Sequence, residues 1–99
     1  MPTKRKTETL KLGIVGLGHL HPRLYMPLFK AIPGLEVVAA MDPDEPWRAA
    51  FCQDYGLRGY ATLDTMLDNE SLDIVSLWLP HVDCPAAAAA CAARGIHLM

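Results

Sequence analysis

An apolar strand that runs straight into a Gly-x-Gly turn is the feature that most constrains this chain: Leu12-Gly13-Ile14-Val15-Gly16-Leu17-Gly18-His19-Leu20-His21. Further on, Leu35-Glu36-Val37-Val38-Ala39-Ala40-Met41 forms a second apolar run that ends on Asp42. Strand, glycine turn, helix and acid-terminated strand make a βαβ unit of the kind that binds a dinucleotide. Gly16 lets the chain turn sharply out of the strand, and Gly18 lets bare backbone approach a pyrophosphate. The backbone N–H groups that follow, at His19 and Leu20, open a helix and face the negative charge, aided by the helix dipole. Asp42 is the candidate acceptor for two ribose hydroxyls. With Pro43 and Pro46 behind it, Asp42 also reads as a helix N-cap, and both roles stay open at this stage.

The chain of 99 residues is long enough for one small domain. Hydrophobic residues at 52% against charged residues at 20% describe a globular rather than a disordered chain. A net charge of −2 argues against nucleic acid as the main partner. The cluster Lys4-Arg5-Lys6 belongs to a polar extension over residues 1–10, ahead of a nucleotide-binding domain over residues 11–99. No apolar run reaches the length of about 20 residues that crosses a membrane, and no secretory signal is legible, so the expected location is the cytoplasm. Cys52, Cys84 and Cys91 lack C-x-x-C spacing and paired histidines. Cys52 and Cys91 are read as small apolar residues of a reducing compartment, and no metal is expected.

The remaining elements follow from their boundary signals. A strand is expected over residues 11–16. The segment His19–Ile32 reads as helical but holds Pro22 and Pro27. Pro22 fits a first turn, whereas Pro27 predicts a kink or a helix that starts late, near Tyr25. A helix beginning at Asp44 or Glu45 runs over Trp47–Tyr55, followed by a strand over Arg58–Ala61 and a short helix Leu63–Leu67 capped by Thr62. Asp73–Leu79 reads as a buried strand ended by Pro80, and Asp83 is expected to cap an alanine-rich helix, Pro85–Arg94. Ile96–Met99 begins a fifth strand, which the chain's end is expected to truncate. The alternation predicts a doubly wound parallel sheet, Rossmann-like, in the order 3-2-1-4-5. It brings the loops 16–21, 42–44 and 79–83 to one crevice at the carboxyl ends of the strands.

These landmarks resemble the N-terminal domain of the glucose–fructose oxidoreductase, inositol dehydrogenase and rhizopine-catabolism (Gfo/Idh/MocA) family. The resemblance spans Leu12 to Met99. It rests on Gly16-Leu17-Gly18, on Pro33-Gly34-Leu35-Glu36-Val37-Val38-Ala39 leading to Asp42-Pro43-Asp44, and on Tyr55-Gly56. Thr62-Leu63-Asp64-Thr65-Met66-Leu67, Leu72-Asp73-Ile74-Val75 and Ala93-Arg94-Gly95-Ile96-His97-Leu98-Met99 complete it. The resemblance implies an NAD(P)-dependent oxidoreductase acting on sugars, polyols or their derivatives; of the two cofactors NAD is expected over NADP, because the Asp42 carboxylate repels a 2′-phosphate. It implies Gly16 and Gly18 at the pyrophosphate, Asp42 at the adenosine ribose, and Leu79 and Pro80 on the nicotinamide side. It further implies a Glu-Lys-Pro motif directly after Met99, whose lysine assists hydride transfer, and a C-terminal domain that holds the substrate. The expectation is therefore a cofactor domain without turnover of its own, with an open sheet edge that favours self-association. A stand-alone nucleotide-binding or interaction module is the alternative.

Three positions depart from the family pattern: His21 replaces a third small residue, Leu79 a common threonine and Cys84 a frequent histidine. His19 and His21 flank the phosphate site and read either as ligands or as polar residues of an exposed helical turn. His81, at the mouth of the crevice, is a candidate contact to the nicotinamide ribose. His97, Trp78 and Asp83 are assigned structural roles, and no catalytic residue is assigned.

Overall fold

The computed structural model describes residues 9–17, 21–80 and 82–99. Among these residues five strands, β1 (Leu10–Val15), β2 (Leu35–Met41), β3 (Arg58–Tyr60), β4 (Ile74–Leu77) and β5 (His97–Leu98), alternate with four helices. The helices are α1 (His21–Ala31), α2 (Glu45–Tyr55), α3 (Leu63–Asn69) and α4 (Cys84–Ala93). The sheet is parallel throughout, in the order β3-β2-β1-β4-β5. This is the Rossmann-like sheet read from the sequence.

Side-chain alternation along the central strand sends Leu12 and Ile14 to one face of the sheet and Val15 to the other. Met26 and Phe29 of α1 and Phe51 of α2 pack on the first face. Met66 and Leu67 of α3 and Cys91 of α4 pack on the second. Both faces are covered, which is why β1 and β2 read as near-continuous apolar runs. Opposite the step from Leu12 to Gly13, the β2 partner jumps from Val37 to Ala39, so Val38 is an extra residue, a bulge beside the site.

Two local expectations need correction. Helix α1 does not start late; it begins at His21 and continues through Pro27 to Ala31. Pro22, in the first turn, gives up an N–H that has no helical partner, and its ring is buried. Pro27 is exposed, while Met26 and Phe29 on either side are buried and anchor the helix to the sheet. Nor does Asp83 cap α4 with its side chain. Its backbone is helical (φ −94°, ψ −15°) and its carboxylate makes no cap hydrogen bond. The second position of the helix is Pro85, which has no N–H to donate. Asp44 and Thr62, by contrast, are extended and accept from Trp47 N and Thr65 N, at 3.0 and 3.2 Å.

The sheet edges carry polar fastenings. On the β3 side, Arg58 grips the buried Glu70 carboxylate through Nε and Nη2, at 2.5 and 2.6 Å, and the Tyr60 hydroxyl donates to the same group. The Arg58 guanidinium holds the Glu70 carboxyl below the usual carboxylate range. The network pins the end of α3 to β3. Arg94, just after α4, pairs with Asp68 of α3 at 2.7 Å.

Candidate functional site

The carboxyl ends of β1, β2 and β4 are knitted into one platform. Gly16 N–H donates to Met41 O at 2.8 Å, and Trp78 N–H donates to Val15 O at 2.7 Å. β1 lies between β2 and β4, so the helices leave in opposite directions on either side of it. That divergence opens the crevice in which sheets of this kind receive ligands.

Gly16 is required twice over. Its φ is +90°, which side chains disfavour, and a Cβ there would come within 2.8 to 3.0 Å of Trp78 C and O and Leu79 N. The space freed by the missing side chain is thus filled by the backbone after β4. The glycine lets β1 and β4 close up beneath the crevice.

Asp42 follows β2 and is buried, with 8% exposure. Its Oδ2 accepts from Leu17 N–H at 2.7 Å, and its Oδ1 accepts from Asp44 N–H at 2.8 Å. One carboxylate therefore ties the glycine turn to the start of α2. It is not the cap of α2, a role that Asp44 takes. Each carboxylate oxygen has a second lone pair, so acceptor capacity for hydroxyl groups remains. Arg48 of α2 completes this corner: its Nη1 donates to the Asp42 backbone carbonyl at 2.8 Å. Arg48 was not legible as part of this corner in the sequence, because it lies six residues beyond Asp42 and only the first turn of α2 brings it back.

On the β4 side, Leu79 is half-buried and Pro80 exposed. Asp83 N–H donates to Pro80 O at 2.9 Å, closing the turn into α4. Cys84 takes the first position of α4, and its thiol donates to Leu79 O at 3.4 Å. Trp78 lies just past β4 and stacks on Tyr25 of α1, with ring centroids 5.3 Å apart. Gly18, His19, Leu20 and His81 lie outside the described residues, as does the side chain of His21. Gly16 and Asp42 follow the paired ends of β1 and β2, and Leu79 N lies against Gly16, with Pro80 next in the turn to α4. Among the described residues no cluster of three His, Cys, Asp or Glu could hold a metal. No described helix is long and apolar enough to cross a membrane.

Residues 10–99 match the family model of the Gfo/Idh/MocA oxidoreductases, described as an oxidoreductase family with an NAD-binding Rossmann fold. The chain belongs to this family. Within it, the chain constitutes the Rossmann NAD-binding domain. It is 31% identical, over 89% of its length, to the "Putative UDP-kanosamine synthase oxidoreductase subunit" of Amycolatopsis mediterranei. Among solved structures it resembles the WlbA dehydrogenase of Chromobacterium violaceum, crystallised with NADH and UDP-GlcNAcA. That match has 28% identity and a TM-score of 0.83, and covers 93% of this chain and 27% of the other. The myo-inositol 2-dehydrogenase of Lactobacillus plantarum matches at 25% identity and a TM-score of 0.82, over 92% of this chain and 27% of the other. The chain spans 24% of the length of the Amycolatopsis protein.

The residues present fit the family's cofactor. A close-packed glycine turn lies at the switch point of the sheet, and a buried carboxylate with spare acceptor capacity ends the neighbouring strand.

Proposed function

We propose that this chain is the cofactor-binding part of a cytoplasmic NAD-dependent oxidoreductase acting on a sugar, a polyol or a derivative of one. The observation that carries the reading is the bond from Leu17 N–H to Asp42 Oδ2, which fastens the glycine turn to the acid after β2. A bound nicotinamide dinucleotide supplies the hydride chemistry; the residues of this chain hold and orient it. The turn from Gly16 through Gly18, His19 and Leu20 faces the pyrophosphate. Asp42 accepts from the adenosine ribose hydroxyls and, as an anion, disfavours a 2′-phosphate. Leu79, Pro80 and His81 lie on the nicotinamide side. Three free cysteines, with burial pushing the thiols of Cys52 and Cys91 upward, suit a reducing compartment.

Substrate binding and acid–base catalysis belong to the rest of the polypeptide in this reading, because a proton-transfer group must reach a bound hydroxyl. Calorimetric titration of the 99-residue chain is the test. NAD⁺ binding weakly and NADP⁺ more weakly still, with no reduction of NAD⁺ by polyols, is the expected result. Tighter NADP⁺ binding overturns the role given to Asp42, and binding of neither overturns the cofactor reading.

A further inference from the structure

We infer that Tyr25 is a positioning residue for the nicotinamide end of the crevice: its ring holds Trp78, and through Trp78 the turn at Leu79 and Pro80, against helix α1. The inference rests on the dinucleotide reading above and adds a residue to it.

Tyr25 stands apart from the residues that seat α1 on the sheet. Pro22, Met26 and Phe29 are buried, whereas Tyr25 is 41% exposed. At 3.6 residues per turn, Tyr25 lies on one flank of that buried stripe, and Arg23 and Lys30 lie on the other. The flank of Arg23 and Lys30 faces α2. The Arg23 guanidinium lies 5.4 and 5.8 Å from the ring centroids of Phe51 and Tyr55, and the Lys30 ammonium lies 5.4 Å from that of Tyr55. The flank of Tyr25 faces the other way, toward β4 on the far side of β1. There its ring stacks on Trp78, with centroids 5.3 Å apart and planes 24° from parallel, and also on Phe29, at 6.2 Å and 28°.

Trp78 is thus held at two points. Its N–H donates to Val15 O at 2.7 Å, and its carbonyl carbon and oxygen fill the space that Gly16 leaves by lacking a side chain. The stack fixes the ring as well. A backbone anchored on β1 and a ring anchored on α1 set the direction in which Trp78 hands the chain on to Leu79. Helix α1 opens at His21, close behind the glycine turn. One helix therefore borders the phosphate turn with its first residue and steadies the opposite turn with its fifth. The consequence is selective. A ligand that ends at the second ribose needs the glycine turn and Asp42. A ligand that carries the nicotinamide ring also needs the Leu79–Pro80 turn in place. Without the Tyr25 ring that turn is ordered only on binding, and only the second ligand bears the cost. The worth of an aromatic pair sets the scale, about two- to tenfold in affinity.

A merely structural Tyr25, holding α1 in place, would affect every ligand of the phosphate turn alike, and this separates the two roles. The experiment is calorimetric titration of the 99-residue chain with NAD⁺ and with ADP-ribose, with a thermal melt of each variant. ADP-ribose keeps the pyrophosphate and both riboses and lacks the nicotinamide. The natural chain is expected to bind NAD⁺ more tightly than ADP-ribose. Tyr25→Ala should lower the affinity for NAD⁺ by about two- to tenfold and leave that for ADP-ribose unchanged. Tyr25→Phe keeps the stack and should bind NAD⁺ as the natural chain does. Tyr25→Leu covers Trp78 without a ring to stack on it, and takes the place of the alanine variant should that fold poorly.

An equal loss for both ligands on removing the ring overturns the inference, as does an affinity for NAD⁺ that is unchanged in Tyr25→Ala or not kept in Tyr25→Phe. A natural chain that binds NAD⁺ and ADP-ribose equally well also overturns it while leaving the cofactor reading intact. Failure of the natural chain to bind either ligand removes both.

Discussion

Asp42 carries more structure than its place in a motif suggests. Its two oxygens accept from Leu17 N–H and Asp44 N–H, so the side chain shapes the crevice before any ligand enters it. Asp42→Ala strands both donors, and the Leu17 hydrogen bond is buried. The expected loss of stability is about 1–3 kcal/mol, measured by urea denaturation, in addition to lost nucleotide affinity. A variant that loses affinity with unchanged stability would reduce Asp42 to a ligand contact. Gly16→Ala combines a disfavoured φ of +90° with a Cβ under 3.0 Å from Trp78 backbone atoms, and backbone is the partner least able to yield. Strain of this kind costs about 1–3 kcal/mol for the dihedral alone, and the midpoint of denaturation should fall accordingly. The sequence pointed to both residues through the strand–glycine–strand–acid pattern. It did not show that Gly16 makes room for β4, because that neighbour lies far along the chain. Arg48 stayed hidden for a similar reason, its target being six residues back across a helix start.

Among the elements, β1, β2, α2, α3 and α4 could be read within a residue or two, because capping residues, glycines and apolar runs all agreed. The helical reading of α1 holds, but a late start near Tyr25 does not: Pro27 was weighed by its intrinsic cost, while the burial of Pro22, Met26 and Phe29 anchors the helix from His21 onward. Pro27→Ala should therefore stabilise the chain, by about 1–3 kcal/mol, since it restores an N–H donor at an exposed position of an intact helix. A chemical denaturation curve that shows no stabilisation would mean the tertiary contacts of α1 have adapted to the proline. At the opposite end of the sheet, Glu70 joins α3 to β3 through Arg58 and Tyr60. Its folded-state pKa is depressed, so its contribution is fully present above the ordinary glutamate value and is lost as pH falls through the lower, folded value. Glu70→Gln should flatten the acid limb of a stability–pH profile measured between about pH 5 and pH 2, its deficit against the natural chain being largest and constant at neutral pH and shrinking as the pH falls. An unchanged acid limb would remove Glu70 from the account. The sequence offered no signal for this network, which depends on β3 and the end of α3 arriving at the same edge.

At the scale of the whole molecule, the topology does the assembling. The order β3-β2-β1-β4-β5 brings the ends of β1, β2 and β4 together, and the hydrogen bonds among Gly16, Met41, Val15, Trp78, Leu17 and Asp42 lock them in place. Among the described residues β5, His97–Leu98, pairs with β4 on one side only, and Leu98 and Met99 are exposed. Such an edge recruits further strands, so the 99-residue chain should self-associate as concentration rises, and Leu98→Lys should return it toward the monomer in light scattering. The central claim is that a dinucleotide lies across the joined ends of β1 and β2, and amide chemical-shift mapping tests it most directly. Titrating NAD⁺ into the ¹⁵N-labelled chain should move the resonances of Gly16, Leu17, Asp42 and Asp44 together, along with those of Trp78 and Leu79, and leave α3 and the Arg58–Glu70 edge unperturbed. Shifts confined to other surfaces, or no shifts at saturating NAD⁺, would contradict the account.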